Sequence, residues 1–426
     1  MDASPPGSSP PDLDSIDLSD LTMWTHGSDA RAAIFQRLRD DRPVAFFEEV
    51  EIPNFGRGPG YHALTRFDDV MTVSRHPEIF CSGKGTSIPD MPIEIAEFYG
   101  SMINMDAPRH TRLRKIVNRS FTPRMVARID EDVRIKARNV IQEVAEVGEC
   151  DFVEEIAAKL PLRIICEMMG IPQESWHRIF ELTNIILGAG DPEFTPDFAT
   201  LMGASMEMVS LASAVGEDRL ANPQDDLVSA MMHAEVDGER LSVMEMGSFF
   251  ILLAAAGNET TRNAISHGMR LLTDEPAQRA DWAANFDEVA PGAVEEIVRW
   301  ATPVIHFRRT VTEDVVVAEH QFHEGDKVVM FYESANRDER HFDDPYRFDI
   351  RRTPNDHVGF GAGGPHFCLG ANLARREIRV MFGEIFRWLP DLQITTPPDH
   401  LWSGFIHGIK RMRCEFTPTA VPALEA

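Results

Sequence analysis

Long apolar runs are missing from this chain: nowhere in its 426 residues do ~18 consecutive apolar side chains occur, the length a helix needs to cross a bilayer. The N-terminus opens on Pro, Ser and Asp, so neither a secretory signal nor a membrane anchor is expected there. A soluble, cytoplasmic protein with no membrane span is the expectation. Basic charge is scarce too. The 42 Lys and Arg side chains stand against 68 Asp and Glu, for a formal net charge of −26. Phosphate backbones repel such a chain, which argues against nucleic acid as a partner and against broad attachment to an anionic membrane. Only five cysteines occur, Cys81, Cys150, Cys166, Cys368 and Cys414, far apart and without a CxxC pair. That odd number makes a poor disulfide framework and fits a reducing compartment. Four of them read as small buried hydrophobes. Internal repeats, an interdomain linker and flavin or iron–sulfur motifs are likewise absent.

What is present is a mostly helical pattern with a minor β part. Residues 1–22 are rich in Pro, Ser and Asp and are expected to be disordered up to a docked arm. A single domain is expected over 23–418, with a flexible tail at 419–426. Short β-type runs such as YHALTRF lead into a helical stretch from Pro123 to about Pro303, where apolar residues recur at three- and four-residue spacing. One helix stands out. Ser242 and Glu245 form a capping box at its start, and the helix runs on through FFILLAAAGNETTRNAISHGMRLL. Its middle, Phe249 to Ala256, is apolar on every face and should cross the centre of the molecule. Beyond Pro303, FRRTVTEDVVVAEH and DKVVMFYE read as strands, and a last helix begins just after Cys368.

The surroundings of that cysteine, HVGFGAGGPHFCLGANLARREIRV, carry the chemistry. Gly359, Gly361 and Gly364 match G-x-G-x-x-G, but no strand precedes them and no βαβ unit surrounds them, which disfavours a dinucleotide site. A nucleophilic cysteine served by His366 is a second option, with awkward geometry at two residues' separation. A buried cysteine in a glycine-rich turn is the plainest alternative. A thiolate on iron explains more residues at once. The helix start supplies aligned N–H groups to a negative sulfur, and glycines on either side let the backbone approach the sulfur and a flat macrocycle. His366 can then hydrogen-bond a haem carboxylate, and the thiolate favours O–O cleavage.

The segment resembles the haem-binding loop of cytochromes P450, with one departure: Phe360 lies eight residues before Cys368 where the family's phenylalanine lies seven before, so one glycine is inserted. The resemblance extends from about Phe35 to Phe416 and implies the mainly helical P450 fold, with haem b buried between the central helix and the Cys368 loop. Cys368 is then the axial iron ligand, Phe360 the shield beneath the haem, and Gly370 a further cofactor contact. Glu296 and Arg299 in EEIVRW match the family's E-x-x-R pair. Alone such a pair is a solvated ion pair worth tenths of a kcal/mol, but with Arg347 of DDPYRF it would complete the family's buried triad. In AGNETT, Gly257 would leave room for dioxygen, Thr260 would donate a hydrogen bond to it, and Glu259 would relay protons. In isolation Glu259 reads as an ion-paired carboxylate and Thr260 as a hydroxyl bonded back to its own helix.

The haem carboxylates would be met by His110, Arg114 and Arg309, while Arg308 and Arg112 read as solvated. Pocket positions implied by the resemblance are Ile103, Leu252, Ala256, Ile305, Phe307, Phe405 and Ile406. All are apolar, so they read equally as core. Electrons would come from a ferredoxin and its reductase. A basic patch of Arg112, Lys115, Arg119, Arg375, Arg376 and Arg379 is the expected docking face. CEMMGIP, EEIVRWATPV, HFCLGANLARREIRV and GFIHGIK resemble the mycobacterial branch of the family that hydroxylates methyl-branched lipids near the chain terminus. The expected activity is therefore a monooxygenase acting on a branched fatty acid or isoprenoid. A sterol side-chain hydroxylase and a non-catalytic haem or lipid-binding protein are the alternatives.

Overall fold

The computed structural model describes residues 11–51, 56–120, 123–235 and 240–422, with only the backbone described for 119, 120, 123–131 and 243. Residues 1–10 and 423–426 of the expected terminal segments therefore lie outside the described residues.

One helix organises the rest. Ser242 Oγ accepts from Glu245 N at 3.2 Å while the Glu245 carboxylate accepts from Ser242 N at 3.0 Å, the reciprocal cap that starts the helix Val243–Asp274. Phe249, Phe250 and Ile251 are at most 1% exposed, and burying each stabilises the fold by ~1.5–3 kcal/mol. This central helix packs against Ile93–Gly100, Lys159–Met168, Phe198–Ala221, Phe286–Ala301 and Ala371–Trp388. Its middle is not buried on every face, however. Leu252 and Leu253 are half-buried and Ala256 is exposed, while Ala254 and Ala255 beside them are covered. Among the described residues one helix, Phe198–Ala221, is long and apolar enough to span a bilayer, with a mean hydropathy of 1.4. Its inner face, Ala204, Ser205, Met208 and Ala212, is buried and packs on the central helix.

A five-stranded sheet closes one end. Its order is Val44–Phe47, Tyr61–Leu64, Lys327–Phe331, His306–Val311 and Phe80–Cys81, with a parallel pairing only between Tyr61–Leu64 and Lys327–Phe331. Both faces are covered, so the central run KVVMF is buried throughout. Val328 and Met330 face a cluster with Leu64, Phe67 and Phe80; Val329 and Phe331 face another with Trp24, Phe35 and Tyr61. Leu18, inside the stretch whose composition suggests disorder, is 1% exposed in that second cluster, and Ser19 Oγ donates to Glu48 O at 2.6 Å. An average over Pro, Ser and Asp hides one well-placed leucine. The helix Ser28–Asp41 is tied to the far part of the chain by Arg39, which bonds Ser334, Glu339 and Tyr346, and by Arg31, 3.1 Å from Glu333.

A smaller sheet joins Glu149–Asp151, Arg413–Glu415 and Gln393–Ile394. It sets Cys150 opposite Cys414, so two cysteines far apart in sequence meet in space.

Candidate functional site

The open face of the central helix and the Cys368 loop define the site. Leu252, Ala256 and Thr260 recur every four residues and remain accessible, while Asn258, Glu259 and Thr261 around them are buried. An accessible stripe in the middle of a core helix marks an internal space. Cys368 is accessible as well, although enough protein surrounds it that burial pushes its thiol pKa up; the Gly370 N–H and the guanidinium groups of Arg114 and Arg375 pull the other way. The loop that presents it closes when Cys368 N donates to Phe360 O at 2.9 Å. The inserted residue is absorbed between them, where Gly361, Gly363 and Gly364 have φ of +99°, +83° and +77°. A Cβ on Gly364 would also stand only 2.4 Å from Ser74 O. The helix Ala371–Trp388 then begins immediately after Gly370. The Phe360 ring lies beneath the Arg375 guanidinium, 4.4 Å from its centroid, on the side of the loop that faces this helix.

Cations gather around the same space; Asp106 lies near Arg309 and His110 but its oxygens accept from Ser82 N and Gly83 N, each at 2.8 Å. Arg309 is 4% exposed, and its hydrogen bond goes to Arg308 O at 2.8 Å; among the described residues no carboxylate pairs with it. Arg114 donates to Phe367 O at 2.6 Å. His110 is buried with Nε2 unsatisfied, its ring 4.3 Å from that of His366. Burial, then Arg309, His110 and Arg114, hold the His366 pKa down to about 2. Burial lowers Arg309 and Arg114 too, and burial with Arg114 and Arg309 lowers His110. Unpaired buried cations and an orphaned imidazole are costly unless an anion completes them. Together with a thiol facing an internal space, they are the donor set that a haem with two carboxylates satisfies. Ser82, whose Oγ is 3.1 Å from His366 Nε2, belongs to this group and went unnoticed in the sequence.

Several expectations need correction. Arg347 is not the third member of the buried triad. Its side chain is 68% exposed, and its nearest carboxylate is Asp349 at 3.9 Å. Glu296 and Arg299 do pair, at 2.7 and 2.8 Å with both at 0% exposure, but the second cation on Glu296 is Arg352, at 3.1 and 3.3 Å. The chain reverses between Asp343 and Arg352, turning the Arg347 side chain outward while its carbonyl accepts from Arg299 and Arg352. Packing gives Gly257 a second reason to be glycine, because a Cβ there would stand 2.9 Å from Ile165 Cδ1 on the helix Lys159–Met168. Thr260 Oγ1 donates to Ala256 O at 2.8 Å, so its hydrogen is committed and its lone pairs remain to accept. Glu259 is 1% exposed and held by Arg262 and by Asn263 Nδ2 at 3.0 Å, with Oε2 unpartnered; Arg262 in turn donates to Asn184 at 2.7 Å.

Neighbouring arginines on one strand serve opposite faces. Arg308 pairs in register with Val329 and Arg309 with Val328, so Arg308 is no solvated cation. It is 3% exposed and bonded to Asp90 at 2.7 Å and to backbone carbonyls of the 84–88 loop. Arg112 is half-buried and paired with Glu245 at 2.5 Å. Among the pocket positions, Ala256 is exposed and Ile103, Leu252, Phe307 and Phe405 are half-buried, whereas Ile305 at 0% and Ile406 at 2% are core. The Phe307 and Phe405 rings meet at 5.5 Å. Much of the basic patch is neutralised: Arg375 by Glu295 at 2.5 and 3.0 Å, Arg379 by Asp287 at 2.8 Å, and Arg112 as above. Lys115 is exposed, and the Arg119 side chain lies outside the described residues.

With this geometry in hand, comparison with known proteins gives a consistent answer. The cytochrome P450 family model matches residues 167–414. The chain is 51% identical over 411 residues to the methyl-branched lipid omega-hydroxylase of Mycobacterium tuberculosis, covering 95% of this chain and 96% of that one. It is 42% identical over 388 residues to the steroid C26-monooxygenase of Mycolicibacterium smegmatis, covering 89% of each. Among solved structures, a Mycobacterium marinum cytochrome P450 in complex with pseudoionone superposes with a TM-score of 0.89 at 42% identity, covering 96% of this chain and all of that one.

Proposed function

The chain belongs to the cytochrome P450 family, and on that premise we propose that it hydroxylates a methyl-branched fatty acid or isoprenoid lipid near its chain terminus. The observation that carries this reading is the greater likeness, over nearly the whole chain, to a methyl-branched lipid omega-hydroxylase than to steroid C26-monooxygenases. The accessible lining agrees with it. Leu252, Ala256, Phe307, Phe405 and Ile103 carry no charge, so a lipophilic chain is held there by burial.

Enzymes of this family are haem-thiolate monooxygenases, and the haem b, when bound, supplies oxygen activation with a thiolate as its iron ligand. Cys368 is that ligand in our reading, with the Gly370 N–H and Arg114 stabilising its negative charge. His110, Arg114, Arg309 and His366 take the haem carboxylates. Thr260, its own hydrogen given to Ala256 O, accepts a hydrogen bond from the side of the open space. Glu259, next to Thr260 in the chain, is the group that would relay protons to it. The unpartnered Oε2 is the oxygen that can carry a proton, and release from Arg262 lets the carboxyl group turn toward Thr260. Glu296, Arg299 and Arg352 hold the backbone of the meandering segment that leads into the Cys368 loop.

Electrons come from a redox partner, here a ferredoxin with its reductase. Because most of the expected basic patch is ion-paired, exposed Lys115 is its remaining open cation among the described side chains, not counting Arg376, which has a partner of its own. A reducing, cytoplasmic setting fits a chain whose five cysteines are all free thiols. The test is a substrate panel on the holoenzyme with ferredoxin, reductase and reduced nicotinamide: a methyl-branched fatty acid, its linear isomer and a sterol with an intact side chain. The branched acid should perturb the haem spectrum at the lowest concentration and be oxidised at its terminal methyl. A higher kcat/KM for the sterol would replace this reading with the steroid one.

A further inference from the structure

The small C-terminal sheet holds chemistry that hydroxylation does not use. Cys150 and Cys414 are direct partners on the antiparallel strands Glu149–Asp151 and Arg413–Glu415, and their sulfurs are 3.5 Å apart. The ladder bonds Phe152 N to Met412 O at 2.7 Å and Phe416 N to Gly148 O at 2.9 Å bracket the pair two residues to either side. This is a hydrogen-bonded position of the ladder, where facing Cα atoms are ~5.5 Å apart. A disulfide forms across Cα separations of ~4.4–6.8 Å. Facing Cβ atoms at such a position are ~4.5–5.5 Å apart and a disulfide needs ~3.5–4.5 Å, so closing the sulfurs to bonding distance takes side-chain rotation and a slight approach of the two strands. Cys414 is fully buried, whereas Cys150 is half-buried and within reach of a small solute. The hydrogen bond to Cys150, reinforced by burial, pushes the Cys414 thiol pKa up, so Cys414 keeps its proton beside the more accessible sulfur.

We propose that Cys150 and Cys414 form a reversible redox pair, closed to a disulfide by hydrogen peroxide. The Cys150 sulfur attacks peroxide, the O–O bond breaks, water leaves and Cys150 becomes a sulfenic acid. The Cys414 sulfur then attacks it, the S–O bond breaks, and the Cys414 proton leaves with the hydroxyl as a second water. Two thiols are oxidised by two electrons and one peroxide is reduced to two waters. A monooxygenase supplies this oxidant itself whenever dioxygen takes up two electrons and two protons without a substrate being hydroxylated. The bond would join residues 264 apart and fasten the strand that follows Phe405 and Ile406 to the segment entering the helix Lys159–Met168. Cys81 and Cys166 are buried and not paired with another cysteine, so they serve as internal controls. The inference does not depend on which substrate the enzyme hydroxylates.

The holoenzyme is exposed to graded hydrogen peroxide and, in parallel, to the thiol oxidant diamide. It is then alkylated under denaturing conditions, digested and analysed by mass spectrometry without reduction. The expected result is a peptide pair linked through Cys150 and Cys414, returned to two alkylated thiols by dithiothreitol, while Cys81 and Cys166 stay alkylatable. Cys150→Ser should remove the cross-link and leave Cys414 alkylatable, with haem content unchanged. Recovery of both thiols unlinked under both oxidants, or accumulation of Cys150 as sulfinic acid without a cross-link, would overturn the proposal.

Discussion

Replacing Arg352 by leucine should destabilise the protein several times more than replacing Arg347 by leucine. The Glu296 carboxylate has no solvent exposure, and it accepts from Arg299 Nε and Nη2, from Asp349 N at 2.9 Å, from Asn355 Nδ2 at 3.2 Å and from Arg352 Nε at 3.1 Å. Losing a charged hydrogen bond to a buried carboxylate removes ~1.5–3 kcal/mol. Arg352 also holds the carbonyls of Asp343 at 2.5 Å, Asp344 at 3.0 Å and Arg347 at 2.8 Å, which go with it. Arg299 still neutralises Glu296, so the loss stays below the ~3–5 kcal/mol of an uncompensated buried charge, and ~2–4 kcal/mol is the expected value. Arg347, with its side chain 68% exposed and a single carboxylate at 3.9 Å, should contribute no more than ~0.5 kcal/mol. Its carbonyl, which does accept from both arginines, survives the substitution. Urea unfolding followed by tryptophan fluorescence measures the difference, since Trp300 lies 5.5 Å from the Arg299 guanidinium. Arg352→Lys should fall between wild type and leucine, because a point charge replaces a planar fork. Equal losses for the two leucine variants, or a larger one at 347, would refute the assignment.

Thr260→Val keeps the side-chain shape and removes the hydroxyl; haem content should hold while product formed per dioxygen consumed falls and peroxide rises, and unchanged coupling would take Thr260 out of the proton path. Gly257→Ala should destabilise the wild type through the 2.9 Å approach to Ile165 Cδ1, and the loss should shrink by ~1 kcal/mol or more when Ile165 is valine, as a double-mutant cycle would read. Burial raises the Glu295 pKa, but hydrogen bonds from His357 and Arg375 outweigh it and bring it down to about 2. That lies below the unfolded value of ~4.3, so the stabilisation is complete above that pH and disappears as pH falls through about 2. Discounted for a side chain 27% exposed, wild type should lose ~1–2 kcal/mol more than Glu295→Gln between those values in urea titrations, and parallel pH curves would contradict it.

What the sequence revealed was local. The Ser242–Glu245 cap, the central helix and the helix after Cys368 each rest on residues within a few positions of one another, and each is where the pattern puts it. The same holds for His110 and Arg114, one helical turn apart. What escaped depends on distant partners. Nothing near Gly257 announces Ile165, and nothing near Cys150 announces Cys414. The choice between Arg347 and Arg352 turns on how the chain reverses around Asp343 and Asp344, although the adjacent Arg351 and Arg352 offered a signal. Arg308 reads as solvated from sequence because alternation normally sends every second side chain to water, whereas here the sheet is covered on both faces.

The parallel pairing of Tyr61–Leu64 with Lys327–Phe331 imposes a delay on biosynthesis. The strand Val44–Phe47 and its neighbour leave the ribosome early, yet the partner they need is more than 260 residues behind. At ~5–20 residues per second the interval is about 13–53 s. During that time Phe35 and Tyr61 on one face of the sheet, and Leu64 on the other, lack the strand they pack against. Nascent chains that stop short of Phe331 should therefore be the chaperone-dependent, aggregation-prone species, and release of the finished polypeptide should be what allows this end of the enzyme to close.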